Sequence, residues 1–308
     1  MSVRAAFIGL GIMGQPMALH LLDPQVAPGV ELVVYNRTRS RTEPLRAAGA
    51  RVAESPREAA DAADVIFTMV TDDAALRAVT GGSDGLLAGL RPGSLVVDHS
   101  TVSRAVTLEL AREAEARGAT WCDAPVTGGD AGAREGTLTV MVGGPEEAYL
   151  RLLPLLRKTG RRILHVGATG QGQALKAISN MVSCLTLMAS AEGIQLGLRA
   201  GLSLEALAEV MQHGSAASYE LDKVLARFGR EGYEPGFSVA NRFKDLELAL
   251  GLARELGQPV PLASAAEPHY RSWRAMHGEL DESSYILALG PDRPRPGPEP
   301  QGGEPAAG

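Results

Sequence analysis

Short apolar runs alternate with longer helical stretches from Val3 to about Val166. This alternation is typical of βαβ units and predicts an α/β domain with a largely parallel sheet. The runs are continuously apolar rather than alternating, so we expect helices to cover both faces of the sheet. The predicted strands are residues 5–10, 32–35, 65–70, 95–98, 120–123, 138–142 and 163–166.

Polar residues mark two of the helix starts between these runs. Ser55 and Glu58 form a capping box around Pro56, which occupies the first helical position. Ser103 can cap the helix that ends before Gly118. The sequence therefore predicts helices that begin at residues 56 and 104.

The pattern changes to helices after Gly170. Residues 173–198 predict one long helix, apolar on nearly every side, and further helices up to about Leu289 predict an all-α second domain. At 1.5 Å per residue the long helix would extend roughly 40 Å. A membrane span would leave four polar side chains in lipid, at Lys176, Asn180, Glu192 and Gln195. We therefore interpret it as a buried helix between two domains.

The composition favours a soluble protein that acts on a small molecule. The 308 residues are 45% hydrophobic, and the net charge of -6 offers no basic face for nucleic acid or a membrane. Cys122 and Cys184 lie in apolar stretches without metal or redox spacing, so we predict buried thiols, no disulfide and no metal site. Glycines and Pro16 interrupt the apolar N-terminal run, which favours a cytoplasmic location over a secretory signal.

A glycine fingerprint follows the first strand and opens the first helix, as Gly9-Leu10-Gly11-Ile12-Met13-Gly14. The first glycine permits a tight turn, the second lets a pyrophosphate approach the backbone, and the third lets helix and strand pack closely. N–H groups at the helix start then face the phosphates. A plain glycine turn is the alternative, but this position between strand and helix favours a dinucleotide.

The second strand ends in Asn36-Arg37-Thr38, where an NAD-selective site usually has an acidic residue that binds the ribose 2′-hydroxyl. Arg37 can pair with a 2′-phosphate, and the side chains of Asn36 and Thr38 can support it. An ordinary turn with an exposed arginine is the alternative. The sequence therefore predicts a preference for NADP, with NAD as a possible cofactor.

Asp123-Ala124-Pro125-Val126-Thr127-Gly128-Gly129 lies at the carboxyl end of a predicted strand, where open α/β sheets bind their ligands. Gly128 and Gly129 offer unhindered backbone N–H groups, and Thr127 adds a hydroxyl donor. Such donors suit a carboxylate. The segment could equally be only a loop.

Lys176 and Asn180 follow Gly170-Gln171-Gly172 and share one face of the long helix, since they are four residues apart. Desolvation on an apolar helix lowers the pKa of a lysine, as an acid-base residue near neutral pH requires. A snorkelling lysine is the alternative. Only four of the 30 basic residues are lysines, and a guanidinium cannot give up its proton, so a retained lysine favours acid-base chemistry.

Lys244, followed by Asp245, is another retained lysine, although it could lie on a surface helix of paired charges.

Four motifs together resemble those of the β-hydroxyacid dehydrogenase family in their order and spacing. They are the glycine fingerprint, DAPVTGG, the glycines before Lys176-xxx-Asn180, and FKDLELAL. Its members include 3-hydroxyisobutyrate dehydrogenase, tartronate semialdehyde reductase and the glyoxylate/succinic semialdehyde reductases. The resemblance extends to about Leu289. We expect a Rossmann-type doubly wound NAD(P)-binding domain at residues 1–169, an all-helical domain for substrate binding and oligomerisation at 170–289, and a disordered Pro/Gly-rich tail at 290–308.

The resemblance also implies roles for individual residues. Lys176 aligns with the catalytic lysine of the family, and Thr101 and Lys244 with residues at the nicotinamide end of the cofactor, while Asp245 would orient Lys244. The aligned substrate-binding residues are Thr127, Gly128, Gly129 and Asn180. Many members have Ser at the position of Thr127. The threonine keeps the hydroxyl, and its extra methyl group narrows the pocket. The family forms dimers or tetramers through its helical domain, so we expect a homodimer or homotetramer.

These features predict an NAD(P)-dependent enzyme for a small hydroxy acid or semialdehyde, a carboxylate, in which Lys176 is the general acid-base residue. The substrate is not fixed among 3-hydroxyisobutyrate, tartronate semialdehyde, glyoxylate and succinic semialdehyde. One alternative is an imine reductase of the same architecture, but those relatives generally lack the lysine. The other is a non-catalytic NADP-binding scaffold protein, which loss of the lysine would indicate.

Overall fold

A computed structural model of the chain describes residues 3–23, 25, 29–228, 233–234 and 236–290. By its backbone contacts, the chain divides into two units. Unit 1 extends to Ser179 and also contains Gly251–Gly257, and unit 2 contains Asn180–Leu250 and continues from Gln258. The domain boundaries expected from the sequence stay a prediction. Apart from Gly290, the predicted tail at 290–308 lies outside the described residues.

Unit 1 contains a sheet of nine strands among the described residues. These are β1 Val3–Ile8, β2 Val30–Tyr35, β3 Arg51–Val52, β4 Val65–Thr68, β5 Leu95–Asp98, β6 Thr120–Asp123, β7 Val126–Thr127, β8 Leu138–Gly143 and β9 Gly160–Gly167. The first six are parallel, in the order β3-β2-β1-β4-β5-β6. β8 is antiparallel to β6 and β7, and β9 is parallel to β8. This is the predicted doubly wound, largely parallel sheet.

Unit 1 has seven helices of its own among the described residues: α1 Gly14–Leu22, α2 Glu43–Ala47, α3 Pro56–Asp61, α4 Asp73–Thr80, α5 Arg104–Glu115, α6 Gly129–Glu135 and α7 Glu146–Thr159. Short 3-10 helices lie at Arg39–Thr42 and Leu86–Gly89. Both predicted caps are confirmed, since Ser55 accepts from the Glu58 N–H and Ser103 from the Val106 N–H. The Glu58 carboxylate, however, accepts from the Glu54 N–H rather than from the N-cap residue.

Successive residues of the central strands point into different hydrophobic cores. Phe7 and Phe67 belong to one buried cluster, whereas Ile8 and Ile66 belong to another. Helices therefore cover both faces of the central sheet, as the continuous apolar runs predict. The prediction is wrong for β9, where Leu164 is exposed and most neighbours are exposed or half-buried. β9 hydrogen-bonds only to β8 within the described sheet, so it is an edge strand.

Both cysteines are free and buried, as predicted. Burial raises the pKa of the Cys122 thiol to about 12, and burial likewise raises the pKa of the Cys184 thiol to about 12. Cys122 packs in a core of unit 1 and Cys184 in the core of unit 2. Both thiols are therefore unreactive packing groups at neutral pH.

The helices of the second half are α8 Gln171–Arg199, α9 Leu204–His213, α10 Tyr219–Arg227, α11 Val239–Leu256 and α12 Pro261–His277, followed by a 3-10 helix at Glu282–Ala288. α8 begins in unit 1 and ends in unit 2. By length and composition, it is the one described helix that could cross a membrane, a property it shares with core helices of soluble proteins. Only 39% of its most apolar window is buried, so in a single chain it is less covered than the sequence predicts.

The core of unit 2 packs aromatic side chains of α12, Tyr270 and Trp273, against the buried side of α8. A buried ion-pair cluster lies beside it, in which Arg242 pairs with Glu282 and lies 3.6 Å from Glu220. Lys223 also pairs with Glu282. The carboxylates are therefore compensated by opposite charges rather than buried alone.

Candidate active site

The glycine fingerprint has the geometry that each glycine position predicts. Gly9 has a φ of +99°, and a Cβ there would overlap the Met69 carbonyl oxygen. A Cβ at Gly14 would overlap the carbonyl oxygen of Gly9, so the start of α1 packs directly on the loop. A Cβ at Gly11, by contrast, would meet only the end of a flexible side chain, Arg41 Nη1, at 3.9 Å. Within the described chain no side chain caps α1, so this cradle fits the pyrophosphate of a dinucleotide.

The other fingerprint residues differ in exposure. Leu10 is buried in the core that faces α1, whereas Ile12 is 65% exposed beside the open side of the loop. Met13 is half-buried and directly precedes α1. The loop thus presents backbone and one apolar side chain to a ligand.

Asn36 joins the glycine loop to the end of β2. Its Oδ1 accepts from the Leu10 N–H at 2.9 Å, and its Nδ2 donates to the Thr38 carbonyl oxygen at 2.8 Å. Arg37 and Thr38 follow it and are exposed. The Asn36 side chain therefore holds both segments in place, and the Arg37 guanidinium is accessible to a ligand.

Arg41 is a candidate cofactor residue that the sequence did not reveal. Its Nη1 lies 3.9 Å from the position of a Cβ at Gly11, and its carbonyl oxygen accepts from Gln15 Nε2. Its guanidinium forms no ion pair with the described residues. The only signal in the sequence was a further arginine four positions after Arg37.

A buried polar network lies at the carboxyl ends of β4 and β5. Asp98 Oδ1 accepts from the Thr68 hydroxyl at 2.7 Å and from the Ser100 N–H at 3.1 Å, and Ser100 Oγ accepts from the Val70 N–H. Asp98 Oδ2 has no hydrogen-bond partner within the described part of the chain. Burial raises the pKa of the Asp98 carboxyl to about 6, although these hydrogen bonds lower it. Thr101, half-buried, directly follows this network.

His99 is buried between β4 and the end of β6. Its ring stacks on Phe67 with centroids 5.6 Å apart, and its Nδ1 lies 2.6 Å from the carbonyl oxygen of Ala124. A carbonyl can only accept, so Nδ1 carries the proton and donates. Burial lowers the pKa of the imidazole to about 4. His99 is therefore a neutral packing group at pH 7 rather than an acid-base residue.

Asp123, at the end of β6, caps the start of α8. Its Oδ1 accepts from the Gly170 N–H at 2.6 Å and its Oδ2 from the Gln173 N–H at 2.7 Å. A Cβ at Gly172 would lie 2.7 Å from Oδ2, so the glycine makes room for the carboxylate. Burial raises the pKa of Asp123 to about 6, against the effect of the backbone hydrogen bonds. The helix that carries Lys176 is thus anchored to the sheet at its first turn.

The remaining candidate substrate residues of unit 1 lie in a loop and on α8. Thr127 ends β7, Gly128 follows it and Gly129 begins α6; all three are exposed, and the two glycines have φ angles of +130° and +65°. The segment therefore offers accessible donors, in a backbone conformation that favours glycine. Lys176 is only 9% exposed on α8.

Three other candidate residues lie in unit 2. Asn180 is buried, and its Nδ2 donates to Asp245 Oδ2 at 2.5 Å. Lys244 Nζ lies 3.2 Å from Asp245 Oδ1, at a distance typical of an ion pair. Arg242 donates to the carbonyl oxygen of Asn180 at 3.2 Å. Asp245 thus contacts both Asn180 and Lys244.

The structure brings the candidate residues together in three groups. The fingerprint, Asn36 and Arg41 form one, and the ends of β4 to β6 with the start of α8 form another, both within unit 1. Asn180, Lys244 and Asp245 form the third group, in unit 2. No group of three His, Cys, Asp or Glu side chains suited to a metal occurs among the described residues.

Two protein-family profiles match nearly the whole described chain. The NAD-binding domain of 6-phosphogluconate dehydrogenase matches residues 4–167. The NAD-binding domain of NADP-dependent 3-hydroxyisobutyrate dehydrogenase matches residues 170–289.

Characterised proteins resemble the chain over most of its length. The 2-(hydroxymethyl)glutarate dehydrogenase of Eubacterium barkeri is 35% identical, over 94% of this chain and 95% of its own. The NAD-dependent L-serine dehydrogenase of Pseudomonas aeruginosa is 37% identical, over 87% and 91%. A solved structure of Mycobacterium tuberculosis 3-hydroxyisobutyrate dehydrogenase with L-serine has a TM-score of 0.85 at 34% identity, and covers 94% of this chain and 99% of that one.

Imine reductases have the same fold at a greater distance. The enzyme of Myxococcus stipitatus, as a variant in complex with NAD+, has a TM-score of 0.65 at 20% identity, over 94% of this chain and 99% of its own. At this identity the similarity concerns the fold alone.

Proposed function

Because the chain belongs to the 3-hydroxyisobutyrate dehydrogenase family of NAD(P)-dependent oxidoreductases, we propose that Lys176 is its general acid-base residue. The observation that carries this proposal is the burial of Lys176 on α8, whose first turn is anchored by Asp123. In the oxidative direction the Lys176 amine accepts the hydroxyl proton of the substrate, and in reduction its ammonium protonates the developing alkoxide. The nicotinamide, when bound, accepts or supplies the hydride.

We propose that the residues named from the sequence bind the two ligands. The glycine loop, Asn36, Arg37, Thr38, Thr101 and Lys244 bind the cofactor, and Asp245 orients Lys244. Thr127, Gly128, Gly129 and Asn180 bind the substrate carboxylate, which directs the reacting carbon towards the nicotinamide. Support comes from the exposure of the threonine-glycine loop and from Asp245, which fixes the Asn180 amide.

We propose a substrate with a hydroxymethyl or aldehyde group on the carbon next to a carboxylate. 2-(Hydroxymethyl)glutarate and L-serine, named for two relatives, share this unit. Among the four candidates from the sequence, 3-hydroxyisobutyrate and tartronate semialdehyde contain it, and glyoxylate and succinic semialdehyde do not. The first two are therefore the substrates that we favour.

The cofactor that we propose is NADP(H). An exposed guanidinium at Arg37 and a second at Arg41, next to Gly11, can pair with a 2′-phosphate, and no acidic residue stands at the end of β2 to repel it. A preference for NADPH would favour the reductive direction.

We further propose a cytoplasmic homodimer or homotetramer that assembles through its helical region. α9 has no fully buried residue in the single chain, and its Leu204 and Met211 side chains are only partly buried against the core of unit 2. Leu196 and Val210 are 71% and 72% exposed in unit 2. Exposed apolar side chains of this size are typical of an interface between copies. The buried, unpaired thiols are consistent with a reducing compartment.

The proposal is tested by steady-state rates for the four candidate substrates with NADPH and NADH in parallel. Lys176→Ala should lower kcat by about 10²–10⁴, the range typical of lost general acid-base catalysis. Lys158→Ala, a lysine on α7, is the matched control and should keep the wild-type rate. Near-wild-type turnover in Lys176→Ala would remove the assignment.

The same measurements distinguish the two alternative functions. A wild-type protein that binds NADPH but converts none of the substrates would favour a scaffold, and turnover of cyclic imines alone would favour an imine reductase.

A further inference from the structure

Gln173 is a buried residue in the first turn of α8 whose polar groups contact two separate segments. Its Nε2 donates to the Ser100 carbonyl oxygen at 2.7 Å, and its Oε1 accepts from the Val102 N–H at 3.3 Å. Its backbone N–H donates to Asp123 Oδ2. The side chain is 2% exposed, so these bonds form away from water. One side-chain amide thus joins α8 to the loop that follows β5.

The two loop groups that Gln173 binds lie on either side of Thr101. The Ser100 carbonyl precedes Thr101 and the Val102 N–H follows it, so the Gln173 amide fixes the backbone on both sides of that residue. Ser100 is held from its other side by the Asp98 carboxylate and by the Val70 N–H. The conformation of the Thr101 segment is therefore determined by the sheet and by α8 together.

The same helix turn also determines the position of Lys176. Residues three apart on an α-helix are neighbours on one face, with Cβ atoms roughly 5–6 Å apart. A shift of Gln173 relative to the loop would move Lys176 with it. The Asp123 carboxylate holds the backbone of this turn from the sheet, so the turn has two independent anchors.

We propose that Gln173 is a positioning residue for hydride transfer. It fixes Lys176, the proposed acid-base group, relative to Thr101, the proposed contact at the nicotinamide end. This inference rests on the proposed function of Lys176. An amide is required because one end must donate to a carbonyl and the other must accept from an N–H.

Gln173→Met tests the role, since methionine keeps the length of the side chain and has neither strong donor nor acceptor. Misplacement of catalytic groups by about 1 Å can cost 10²-fold in rate, so we expect kcat to fall by about 10- to 100-fold. Gln171→Met is the matched control, because Gln171 is exposed on the same turn and should keep the wild-type kcat. The KM for cofactor should change less than kcat. The primary isotope effect on kcat with 4-deuterated cofactor should rise, which a merely less stable protein would not show.

Gln173→Glu provides a second, reversible test. A carboxylate can accept from the Val102 N–H but cannot donate to the Ser100 carbonyl, whereas the protonated acid can do both. Burial favours the protonated form of such a carboxyl. The ratio of the kcat of Gln173→Glu to that of wild type should therefore rise as the pH falls from 8 to 6.

The outcomes separate this inference from the proposed function. If Lys176→Ala is inactive while Gln173→Met keeps the kcat and isotope effect of Gln171→Met, only the role of Gln173 is overturned. A flat pH ratio for Gln173→Glu would also overturn it. If Lys176→Ala turns over normally, the proposed function fails first, and the inference fails with it.

Discussion

At the scale of single residues, three buried titratable groups at the ends of β5 and β6 change the pH dependence of stability, and the two aspartates act in the opposite direction to the histidine. The Asp98 and Asp123 carboxyls have pKa values raised to about 6 by burial, and the His99 imidazole has one lowered to about 4. Between pH 4 and 6 the folded chain thus holds more protons on the aspartates than the unfolded chain does, and fewer on the histidine. The contribution of the aspartates to the free energy of unfolding is therefore lost as the pH rises through 6. The contribution of the histidine is lost as the pH falls from 6.5 towards 4.

The histidine contribution can be isolated with His99→Phe, which keeps the ring that stacks on Phe67. The variant should be less stable at neutral pH by about 1–3 kcal/mol, because the Ala124 carbonyl loses its donor. Between pH 6.5 and 4, however, wild type should lose up to about 3 kcal/mol more stability than the variant does. Urea unfolding at several pH values measures both. Equal pH slopes for the two proteins would contradict the neutral buried state of His99.

The proposed preference for NADP can also be tested at single residues. Arg37→Ala and Arg41→Ala should each raise the KM for NADPH by about 10- to 100-fold, because each variant loses a hydrogen bond to a charged group. The KM for NADH should change little, because NADH has no 2′-phosphate. Arg39→Ala is the matched control, since Arg39 lies between them and pairs with Glu54. A wild-type enzyme that prefers NADH would contradict the role of both arginines.

At the scale of helices and strands, the sequence predicted what local patterns determine. Long apolar runs identified seven strands, and the caps at Ser55 and Ser103 were correct. β3 and β7 were missed because two residues are too few to form a pattern. The predicted start of α8 at 173 was two residues late, because its cap is Asp123, which is remote along the chain.

The start of α8 leads to a prediction about its glycines. At Gly172 a Cβ would lie 2.5 Å from the Met141 carbonyl oxygen and 2.7 Å from Asp123 Oδ2. Gly172→Ala should therefore destabilise the protein by about 1–3 kcal/mol, although alanine is the better helix former. Gly193→Ala is the matched control in the same helix, where the nearest atom is the flexible Met211 Cε at 3.4 Å. The control should be neutral or stabilising by up to about 1 kcal/mol, and urea unfolding compares them. Equal effects would contradict the close packing of Gly172.

At the scale of the whole molecule, the class of enzyme was clear from the sequence, but the supports of the site were not. The fingerprint glycines have the conformations that their spacing predicts, and Lys176 is buried on α8 as its apolar surroundings predicted. Arg41, Gln173 and the contact between Asn180 and Asp245 were not foreseen, because each joins segments far apart in sequence. Such contacts depend on the packing of the chain, and one sequence contains no local pattern for them.

The proposed assembly leads to a prediction about mass in solution. Val210→Glu together with Leu196→Glu places two charges on the exposed apolar side chains of unit 2, and a desolvated, unpaired charge opposes association. Light scattering should show a smaller species than wild type at the same concentration. Leu150→Glu, on an exposed leucine of α7 in unit 1, is the matched control and should keep the wild-type mass. An unchanged mass in the double variant would exclude Leu196 and Val210 from the interface.

The hydrogen bonds of Asn36 have a practical consequence for attempts to change the coenzyme preference of this enzyme. Its amide holds the backbone of the glycine loop at Leu10 and the turn at Thr38 at the same time. An acidic replacement at position 36, which could bind a free ribose hydroxyl, would keep an acceptor for the Leu10 N–H but lose the donor to the Thr38 carbonyl oxygen, and so release the turn at Thr38. A library that varies residues 37 and 41 and leaves Asn36 intact should yield more active variants than one that begins at position 36.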